Sequence, residues 1–545
     1  MTDRHFTLSR RAHLASLTRQ GLAWALWSLH RDSAASAARG AEQMPRWRRN
    51  PFGLGIASGE PLPDSVLLWT RLYPDPPIQG QSATTDELLA HMAHSSGVPV
   101  DRPLKVTYEA FADAACRRRV AQGTVRTSAD VGWSVHARVT GLQPDRPYWY
   151  RFQCGDASSR VGHTRTAPLP HTRKDRLRFA LASCQHYEQG WYAAHADMAS
   201  QDLDVVLFVG DYIYESTNKK FRLREHTGGV PTDLAAYRER HALYKLDADL
   251  QTCHAAHPWL CTWDDHEVDN DYAGLSDRSR SPESSFVARR AAAYRAYFEH
   301  MPVWPFSEGA NPYRIHRHWT WGDLVDLWML DCRQYRSPQP CSDPLRGGGR
   351  VVVGCDERLL PDATMLGTEQ ERWLAEGLAS ANRRWRVVAQ STQLSSTGVN
   401  TPLGRSIYTD GWDGYASARA RLFESLSSGV ARNVILLGGD VHQNVAAVLR
   451  KSPNDPLSEP VAVEFVSTSI SSRGMSAATL EKIRRDNPDI VFARSDERGY
   501  AVVTLDRDEV NTRFRTTPFP AQKGASLTDQ AAFRVPHGRA TLVQR

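Results

Sequence analysis

The chain is predicted to fold as an α/β protein, in which mixed β-sheets are flanked by helices, with a small all-β domain in front. Two patterns predict this architecture. Between about residues 175 and 515, short apolar runs alternate with helical stretches, as expected of βαβ units around a buried sheet. Between residues 51 and 165, short alternating segments are separated by turn residues, which is typical of an antiparallel sandwich.

Five apolar runs of the larger part are predicted to be strands covered on both faces, because each is short and ends at a turn. They are residues 179–182, 205–209, 259–263, 327–330 and 434–437. Helices are predicted at 191–201, 288–299, 368–380 and 416–427. Further strand-like runs follow at 445–449, 461–466 and 500–505, and residues 516–545 are predicted to be a C-terminal tail.

The smaller domain, residues 51–165, has four clear strand-like segments, at 66–69, 104–108, 134–139 and 148–152. The third leads into a turn at Leu142-Gln143-Pro144, and the fourth is aromatic. This arrangement resembles a fibronectin type III domain. Residues 165–176, which contain Pro168 and Pro170, are predicted to link it to the larger domain, residues 175–515.

Residues 1–37 resemble a twin-arginine export signal. The pair Arg10-Arg11 is followed by a short, mildly apolar stretch at 21–29 and by small residues at 34–37 that fit a cleavage site. This predicts a periplasmic or secreted protein, exported by the twin-arginine translocation machinery. The alternative is a basic amphipathic or disordered N terminus, because the apolar stretch is weak.

Charge and hydropathy exclude two classes of partner. The formal net charge is +6, and without residues 1–37 it is +3, from 62 basic and 59 acidic residues. We therefore expect no specific nucleic-acid binding. No apolar run approaches the length of a membrane span, so we expect no stable membrane insertion. Eight cysteines are too few for a disulfide scaffold, but Cys341 and Cys355 could close a short loop.

Each of the five predicted strands ends on a group that can bind a metal ion. These groups are Cys184, Asp211 with Tyr214, the segment Asp264–Glu267, Asp331, and Asp440 with His442. In α/β sheets, ligands gather outside the carboxyl ends of the strands. Taken alone, Cys184 is more often a small buried hydrophobe and Asp211 a helix cap. Together the groups predict a site for several metal ions.

Two of these segments are the most informative. Asp264-Asp265-His266-Glu267 places four ionisable residues directly after an apolar strand, which is costly unless cations or partners neutralise them. Asn270 follows and offers a neutral oxygen of the kind that calcium accepts. The alternative is a solvated turn. In Gly438-Gly439-Asp440-Val441-His442, Asp440 and His442 share one face of an extended chain and can bind neighbouring cations.

Five motifs in this order resemble those of PhoD-type alkaline phosphatases, which belong to the calcineurin-like metallophosphoesterase superfamily. They are Ala182-Ser183-Cys184-Gln185, Gly210-Asp211-Tyr212-Ile213-Tyr214-Glu215, Trp263-Asp264-Asp265-His266-Glu267, Leu330-Asp331-Cys332-Arg333-Gln334-Tyr335-Arg336 and Gly438-Gly439-Asp440-Val441-His442. The opening segments 52–59 and 68–72 resemble that family's N-terminal domain. The resemblance covers about residues 51–515.

The resemblance implies a metallophosphoesterase sandwich behind a fibronectin-like domain, and a centre of one iron(III) and two calcium ions. By this resemblance Cys184 and Tyr214 ligate iron, Asp211 bridges metals, and Asp440 and His442 complete the cluster. Asn270 would serve calcium together with Asp264 or Asp265, and the choice between these two aspartates stays open. Thiolate and phenolate suit trivalent iron, whereas carboxylate and amide oxygens suit calcium.

The implied activity is hydrolysis of small-molecule phosphomonoesters and phosphodiesters, with release of phosphate, by attack of a metal-activated water or oxide. His266 would contact phosphate or donate a proton. Arg333 would clamp a phosphate oxygen, or else form a structural salt bridge with Asp331. The nearest alternative is a dedicated secreted phosphodiesterase or nuclease on the same scaffold. A carbohydrate- or surface-binding protein with a degenerate catalytic half is a more distant one.

Overall fold

The structure is a computed structural model that describes residues 44–73, 85–98, 102–218, 220–304, 313–427 and 433–545. The predicted export signal, residues 1–37, lies outside the described residues. Two large β-sheets packed face to face form the centre of the molecule, and helices cover their outer faces. The prediction of mixed sheets flanked by helices is therefore confirmed.

The first large sheet has ten strands and is mixed, because its central strands run parallel and its two ends antiparallel. In order across the sheet the strands are β25 (Val543–Gln544), β24 (Thr528–Pro536), β23 (Glu509–Pro518), β22 (Glu497–Asp506), β9 (Arg176–Ala182), β10 (Val205–Val209), β11 (Pro258–Thr262), β1 (Ile56–Gly59), β2 (Ser65–Arg71) and β5 (Ser134–Thr140).

The second large sheet has seven strands and is also mixed. In order they are β12 (Arg317–Trp321), β13 (Val325–Met329), β15 (Trp385–Ala389), β18 (Val434–Gly438), β20 (Pro460–Val466), β19 (Asn444–Arg450) and β21 (Ile490–Arg494). A separate three-stranded sheet consists of β14 (Val351–Val353), β17 (Gly404–Tyr408) and β16 (Val399–Thr401).

Eight α-helices lie within the described residues. They are α1 (Thr85–Ser96), α2 (Ala193–Ser200), α3 (Leu234–Lys245), α4 (Ala248–Ala256), α5 (Glu283–His300), α6 (Thr368–Ser380), α7 (Ala416–Ser427) and α8 (Ala477–Asp486). Helices α2 to α5 cover the outer face of the ten-stranded sheet, and α6 and α7 cover that of the seven-stranded sheet. The four predicted helices correspond to α2, α5, α6 and α7.

The apolar runs are continuous because both faces of each central strand are buried. In β10, Leu207 faces the seven-stranded sheet, whereas its neighbour Phe208 packs among the helices. In β18, Leu437 faces the ten-stranded sheet and Leu436 packs on α6 and α7. The five runs predicted as buried strands are thus confirmed as β9, β10, β11, β13 and β18.

The N-terminal region is the small all-β sandwich that the sequence predicts. One layer contains β4 (Arg119–Thr127), β3 (Leu104–Phe111), β6 (Pro147–Cys154), β7 (Ala157–Ser158) and β8 (Gly162–Arg165). The facing layer is β1, β2 and β5, and one apolar core lies between the two layers. This second layer is not separate from the larger domain, because β1 pairs in parallel with β11 and so extends the ten-stranded sheet.

The prediction of a weakly patterned tail after residue 515 is wrong for most of that segment. β24 pairs along β23 and carries Phe533 into the core between the two large sheets. The buried residues Ala531, Phe533 and Val535 alternate with more exposed ones, as in a half-buried strand. The apolar pattern is weak in the sequence, because Ala532 lies between two of them and the surrounding stretch is polar.

Two further expectations concern the covalent structure and the membrane. Cys341 and Cys355 form a disulfide, as the sequence allowed, and it closes the loop around Gly347 to Gly349. Of the helices in the described ranges, none has the length and hydropathy that crossing a bilayer requires.

We predict that Phe533→Ala lowers the free energy of unfolding by about 3–5 kcal/mol, because it opens a cavity between the sheets. Phe533 is 1% exposed and its ring lies 5.4 Å from that of Phe492. Urea denaturation measures the change. The matched control is Leu457→Ala, since Leu457 is 94% exposed and its loss should matter little. Equal midpoints for both variants would show that the C-terminal strand is not part of the core.

Candidate metal centre

The predicted ligands converge because the strands that carry them end at the same edge of the structure. Cys184, Asp211 and Asp264 follow the neighbouring parallel strands β9, β10 and β11. Asp440 and His442 follow β18 of the facing sheet. The two sheets are packed face to face, so their carboxyl-terminal loops enclose one buried space.

Asp211 lies at the centre of this space. Within the described residues, four groups of potential ligands have all their ligand atoms within 4.8 Å of one another, and Asp211 belongs to three of them. These three groups are Cys184, Asp211 and His442; Asp211, Asp265 and His266; and Asp211, Asp264 and Asp440. The predicted convergence of the thiol at 184, the carboxylate at 211 and the imidazole at 442 is therefore what the structure contains.

Tyr214 is a further member of the cluster. Its hydroxyl group donates a hydrogen bond to Asp211 Oδ2 at 2.8 Å and lies 3.1 Å from His442 Nε2. Ser472 Oγ lies 2.9 Å from the same phenolic oxygen and can donate to it. The Asp-x-x-Tyr spacing thus directs the oxygens of Asp211 and Tyr214 at one point.

Four of these residues adopt a left-handed backbone, with φ of 60° at Cys184, 58° at Asp211, 63° at Asp440 and 56° at His442. Residues other than glycine seldom adopt this conformation, and strain of this kind concentrates at functional sites. Tight turns directly after the strands therefore direct these side chains into the buried space.

Gly210 is required beside one of these turns. It has a φ of 112°, and a Cβ atom there would lie 2.6 Å from Asp264 Cβ. Gly439 is similarly confined, since a Cβ atom would lie 2.5 Å from Ser183 Oγ. Gly210 therefore allows the loops after β10 and β11 to approach each other closely, and Gly439 allows the loop after β18 to approach the loop after β9 of the facing sheet.

The electrostatics of the cluster favour a bound cation. Burial raises the pKa of Asp211 and Asp440 well above the ordinary range, and neighbouring carboxylates raise both further. Burial together with the charge of Asp211 likewise raises the pKa of Cys184 and of Tyr214. Burial lowers the pKa of His442 to about 3, so its imidazole is neutral and has a lone pair for a metal.

Two carboxylate oxygens of the cluster have no hydrogen-bond partner although they are buried. They are Asp211 Oδ1 and Asp264 Oδ2. A buried polar atom without a partner costs free energy, and each such atom calls for an explanation. Cations at the centre of the cluster supply one, because thiol, phenol, imidazole and carboxylate donors all face the same space. The residues present fit a metal centre of more than one ion.

The two aspartates of the Asp264-Asp265 pair differ in their partners. Asp265 accepts hydrogen bonds on both oxygens, from its neighbour His266 N at 3.0 Å and from Asp271 N at 2.7 Å. Asp264 Oδ1 accepts from Ser391 Oγ at 2.9 Å, which leaves Oδ2 free. Asp265 also forms a compact acidic group with Asp271 and with Asp410.

The Arg333 side chain contacts three of these aspartates and is 1% exposed. Its guanidinium donates to Asp264 Oδ1 at 2.5 Å and to Asp410 Oδ2 at 2.8 Å. The salt bridge with Asp331 that the sequence suggested does not form, because Asp331 Oδ1 instead accepts the backbone N–H of Arg333 at 2.9 Å. The guanidinium has its donors occupied by carboxylates of the site.

His266 lies on the open side of the cluster. Its Nδ1 is 2.7 Å from Glu215 Oε2, and its ring stacks on the Tyr214 ring at 4.1 Å between centroids. Burial acts to lower the pKa of His266, but the charges of Glu215 and Asp265 outweigh it and raise the pKa well above the ordinary value. In the absence of bound cations the imidazole is therefore protonated. Asn270 lies in the same loop, where its N–H donates to Glu215 Oε1 at 3.1 Å.

Glu267 is an organising residue whose role the sequence did not reveal. Its carboxylate accepts the N–H groups of Asp211 at 3.1 Å, Tyr212 at 2.6 Å and Asp264 at 2.9 Å. It thereby fixes the loops after β10 and β11 relative to each other. The sequence marked Glu267 only as part of an acidic run. Ser472 and Asp410 had no such signal, since each lies far along the chain from its partners.

Comparisons with known proteins agree with this geometry. The family model for the PhoD-like phosphatase matches residues 179–514, and the model for the PhoD-like phosphatase, N-terminal domain, matches residues 35–168. Alkaline phosphatase D of Bacillus subtilis (strain 168) is 38% identical over 498 residues, which span 90% of this chain and 81% of that protein.

The fold is shared with a solved structure of PhoD. The two structures superpose with a TM-score of 0.84 at 37% sequence identity, over 92% of this chain and 93% of the other. The predicted resemblance is therefore confirmed across both the sandwich and the larger domain. The chain belongs to the PhoD-like phosphatase family and is a phosphoric ester hydrolase.

Proposed function

We propose that the protein is an exported, metal-dependent phosphatase that hydrolyses phosphomonoesters and phosphodiesters and releases phosphate. The observation that carries the proposal is the position of Asp211, which belongs to three overlapping groups of potential ligands in one buried space. Such an arrangement suits several cations close together, and phosphoryl transfer depends on positioning and charge neutralisation more than on covalent chemistry.

The donor types suggest which ions bind. We propose that Cys184 and Tyr214 hold iron(III), with His442 and a bridging Asp211, because thiolate and phenolate are strong anionic donors. Oxygen donors suit calcium, and Asp211, Asp264 and Asp440 form one such group. The unpartnered Oδ2 atom makes Asp264 the better ligand of the Asp264-Asp265 pair. We also propose Asn270 as a calcium ligand, because its side chain offers an amide oxygen and it lies in the same loop as Asp264 and Asp265.

When bound, the metal ions would lower the pKa of a coordinated water and neutralise the phosphoryl oxygens. The chain itself supplies the proton transfer and the orientation. Glu215 engages Nδ1 of His266, so its other ring nitrogen can contact a phosphoryl oxygen or deliver a proton to the leaving alcohol. The stack on Tyr214 fixes the plane of the imidazole ring.

Arg333 is proposed to orient Asp264 rather than to touch the substrate. Its side chain is 1% exposed and its donors point at Asp264 and Asp410. By holding Oδ1 of Asp264, the guanidinium directs the free Oδ2 towards the centre. Outer partners of this kind typically change metal affinity or activity by about 10–100-fold.

Export is proposed from the sequence alone. The Arg10-Arg11 pair and the segment after it support passage through the twin-arginine translocation machinery to the periplasm or the outside of the cell. This route carries folded proteins, which suits an enzyme that takes up its metals before export.

We predict that Asp211→Asn lowers kcat/KM for p-nitrophenyl phosphate by at least about 100-fold, because it weakens every proposed metal site at once. A chelator should abolish the activity of the wild-type enzyme, and added calcium should restore it. The matched control is Asp508→Asn, since Asp508 is 93% exposed. Full activity in the presence of the chelator would contradict the proposal.

The same assay separates the two functional alternatives. Hydrolysis of p-nitrophenyl phosphate at a rate comparable with that of its bis ester supports a phosphatase of both ester classes. A clear preference for the bis ester would instead support a dedicated phosphodiesterase on this scaffold.

We predict that the purified protein is coloured by a phenolate-to-iron(III) charge-transfer band and that Tyr214→Phe abolishes it. The phenolic oxygen is the only part of the side chain that this change removes, so the fold should persist. The absorption spectrum measures the effect. The control is Tyr244→Phe, which removes a nearby hydroxyl group. Among the described residues, the hydrogen bonds of this hydroxyl are to Tyr187 N, Tyr214 N and His226. A colourless and fully active wild-type preparation would rule out tyrosinate ligation of iron.

A further inference from the structure

Two exposed side chains that the proposed mechanism does not use lie together beside the metal centre. The Arg473 guanidinium carbon is 4.4 Å from the centroid of the Phe221 ring. Phe221 is 38% exposed, and Arg473 is exposed as well. A cation–π contact of this kind holds a guanidinium in place without neutralising its charge. We call this pair the Arg473–Phe221 stack.

The backbone of Arg473 is fixed next to two of the proposed metal ligands. Its carbonyl oxygen is 2.8 Å from His442 Nδ1, and its N–H donates to Gln189 Oε1 at 2.6 Å. The preceding residue, Ser472, has its hydroxyl 2.9 Å from the oxygen of Tyr214. The exposed guanidinium therefore extends from an anchored point at the edge of the centre.

Phe221 reaches the same place from another segment. Leu223 N donates to Glu188 O at 2.7 Å, and the His226 ring stacks on His186 at 5.3 Å. His186 in turn packs on the Tyr214 ring at 4.5 Å. Through these contacts the segment that carries Phe221 packs on residues 186–188, next to Tyr214 and on the side of the centre where Arg473 lies.

The charge of Arg473 has no counterpart in the described ranges, since no carboxylate there lies within ion-pair distance of it. Some exposed arginines elsewhere are paired, such as Arg222 with Glu225 at 3.2 Å and Arg485 with Asp486 at 3.1 Å. A planar guanidinium matches a phosphate group well, because it can donate two parallel hydrogen bonds. The anchoring of its backbone beside His442 and its unpaired charge both favour an anion close to the reacting phosphoester.

We propose that the Arg473–Phe221 stack is a second anion subsite, which binds a further phosphate group carried by the leaving-group part of the substrate. The inference rests on the proposed function and refines its substrate class to phosphoesters that bear a second phosphate a short distance from the first. Both a small bisphosphate and a chain of successive phosphodiesters present this chemistry.

The test compares matched substrates with one and two phosphates. Propane-1,3-diol and hexane-1,6-diol provide a short and a long spacer, each as the monophosphate and the bisphosphate. We expect the wild type to have a kcat/KM at least about tenfold higher for one of the bisphosphates than for its monophosphate, as one charge-assisted hydrogen-bonded contact allows. A preference confined to the short spacer indicates small bisphosphates, and one for the long spacer indicates extended chains.

In Arg473→Ala this preference should fall to the statistical factor for two identical ends. Phe221→Leu should reduce it partly, because the guanidinium loses its stacking partner but keeps its charge. The matched control is Arg485→Ala, which removes an exposed arginine from α8 and should keep the wild-type ratio. An unchanged ratio in Arg473→Ala with both spacers, or no bisphosphate preference in the wild type, overturns the subsite.

A binding measurement separates this inference from the proposed function. Calorimetric titration with propane-1,3-bisphosphonate, hexane-1,6-bisphosphonate and the corresponding monophosphonates needs no turnover. Tighter binding of a bisphosphonate that Arg473→Ala removes supports the subsite, even if the enzyme hydrolyses no phosphoester. Equal binding of mono- and bisphosphonates by the wild type contradicts it, whatever the activity.

Discussion

The crowding of buried acidic donors around Asp211 is the constraint on which the rest of the structure depends. A thiol, a phenol and several carboxyl groups lie within shared reach, and burial disfavours the charged form of each. The hydrogen bonds of the cluster do not satisfy all of these groups, since Asp211 Oδ1 and Asp264 Oδ2 remain without partners. Cations resolve this conflict, because they stabilise the ionised forms of donors whose close approach would otherwise be costly.

The scaffold holds this unfavourable arrangement in place. Two large sheets, each covered on both faces, bring the carboxyl ends of β9, β10, β11 and β18 to one edge. Glu267 then fixes the loops after β10 and β11, and Arg333 fixes Asp264 against Asp410. The left-handed backbone at Cys184 and Asp211 is strain that such rigid surroundings can sustain.

The side of the centre formed by residues 469–473 is equally rigid. Arg498, which is fully buried, donates to the oxygens of Ser469 and Ser495 and to the carbonyl of Ser472. Ser471 Oγ donates to His186 O at 2.9 Å. The loop that contacts Tyr214 and His442 is thus fixed from several directions, and Arg473 alone of its polar side chains projects to the surface. Arg473 thus combines a fixed backbone with a charge that has no ion-pair partner among the described residues.

Much of the fold was predictable from the sequence because buried strands have a strong apolar signal, and ligand motifs directly follow them. Cys184, Asp211, Tyr214 and His442 could be grouped from the sequence, because each lies just after a predicted strand. The parallel pairing of β1 with β11 could not, since Ser58 and Pro258 are far apart in sequence. β24 was missed because its alternation is weak within a polar stretch.

The residues that orient the ligands could not be predicted from the sequence for a related reason. Asp410 meets Arg333 across 77 residues, and Ser472 meets Tyr214 across 258, so neither contact leaves a local pattern. Motifs adjacent to strand ends identify potential ligands, but the groups that orient the ligands come from whichever loops the packed sheets bring close.

Elemental analysis of the purified protein tests the central claim most directly. If the donors around Asp211 form a metal centre, the wild-type protein should contain tightly held iron and calcium, and Asp211→Asn should lose most of both. Wild-type protein that contains neither metal and yet hydrolyses phosphoesters at full rate would contradict the account.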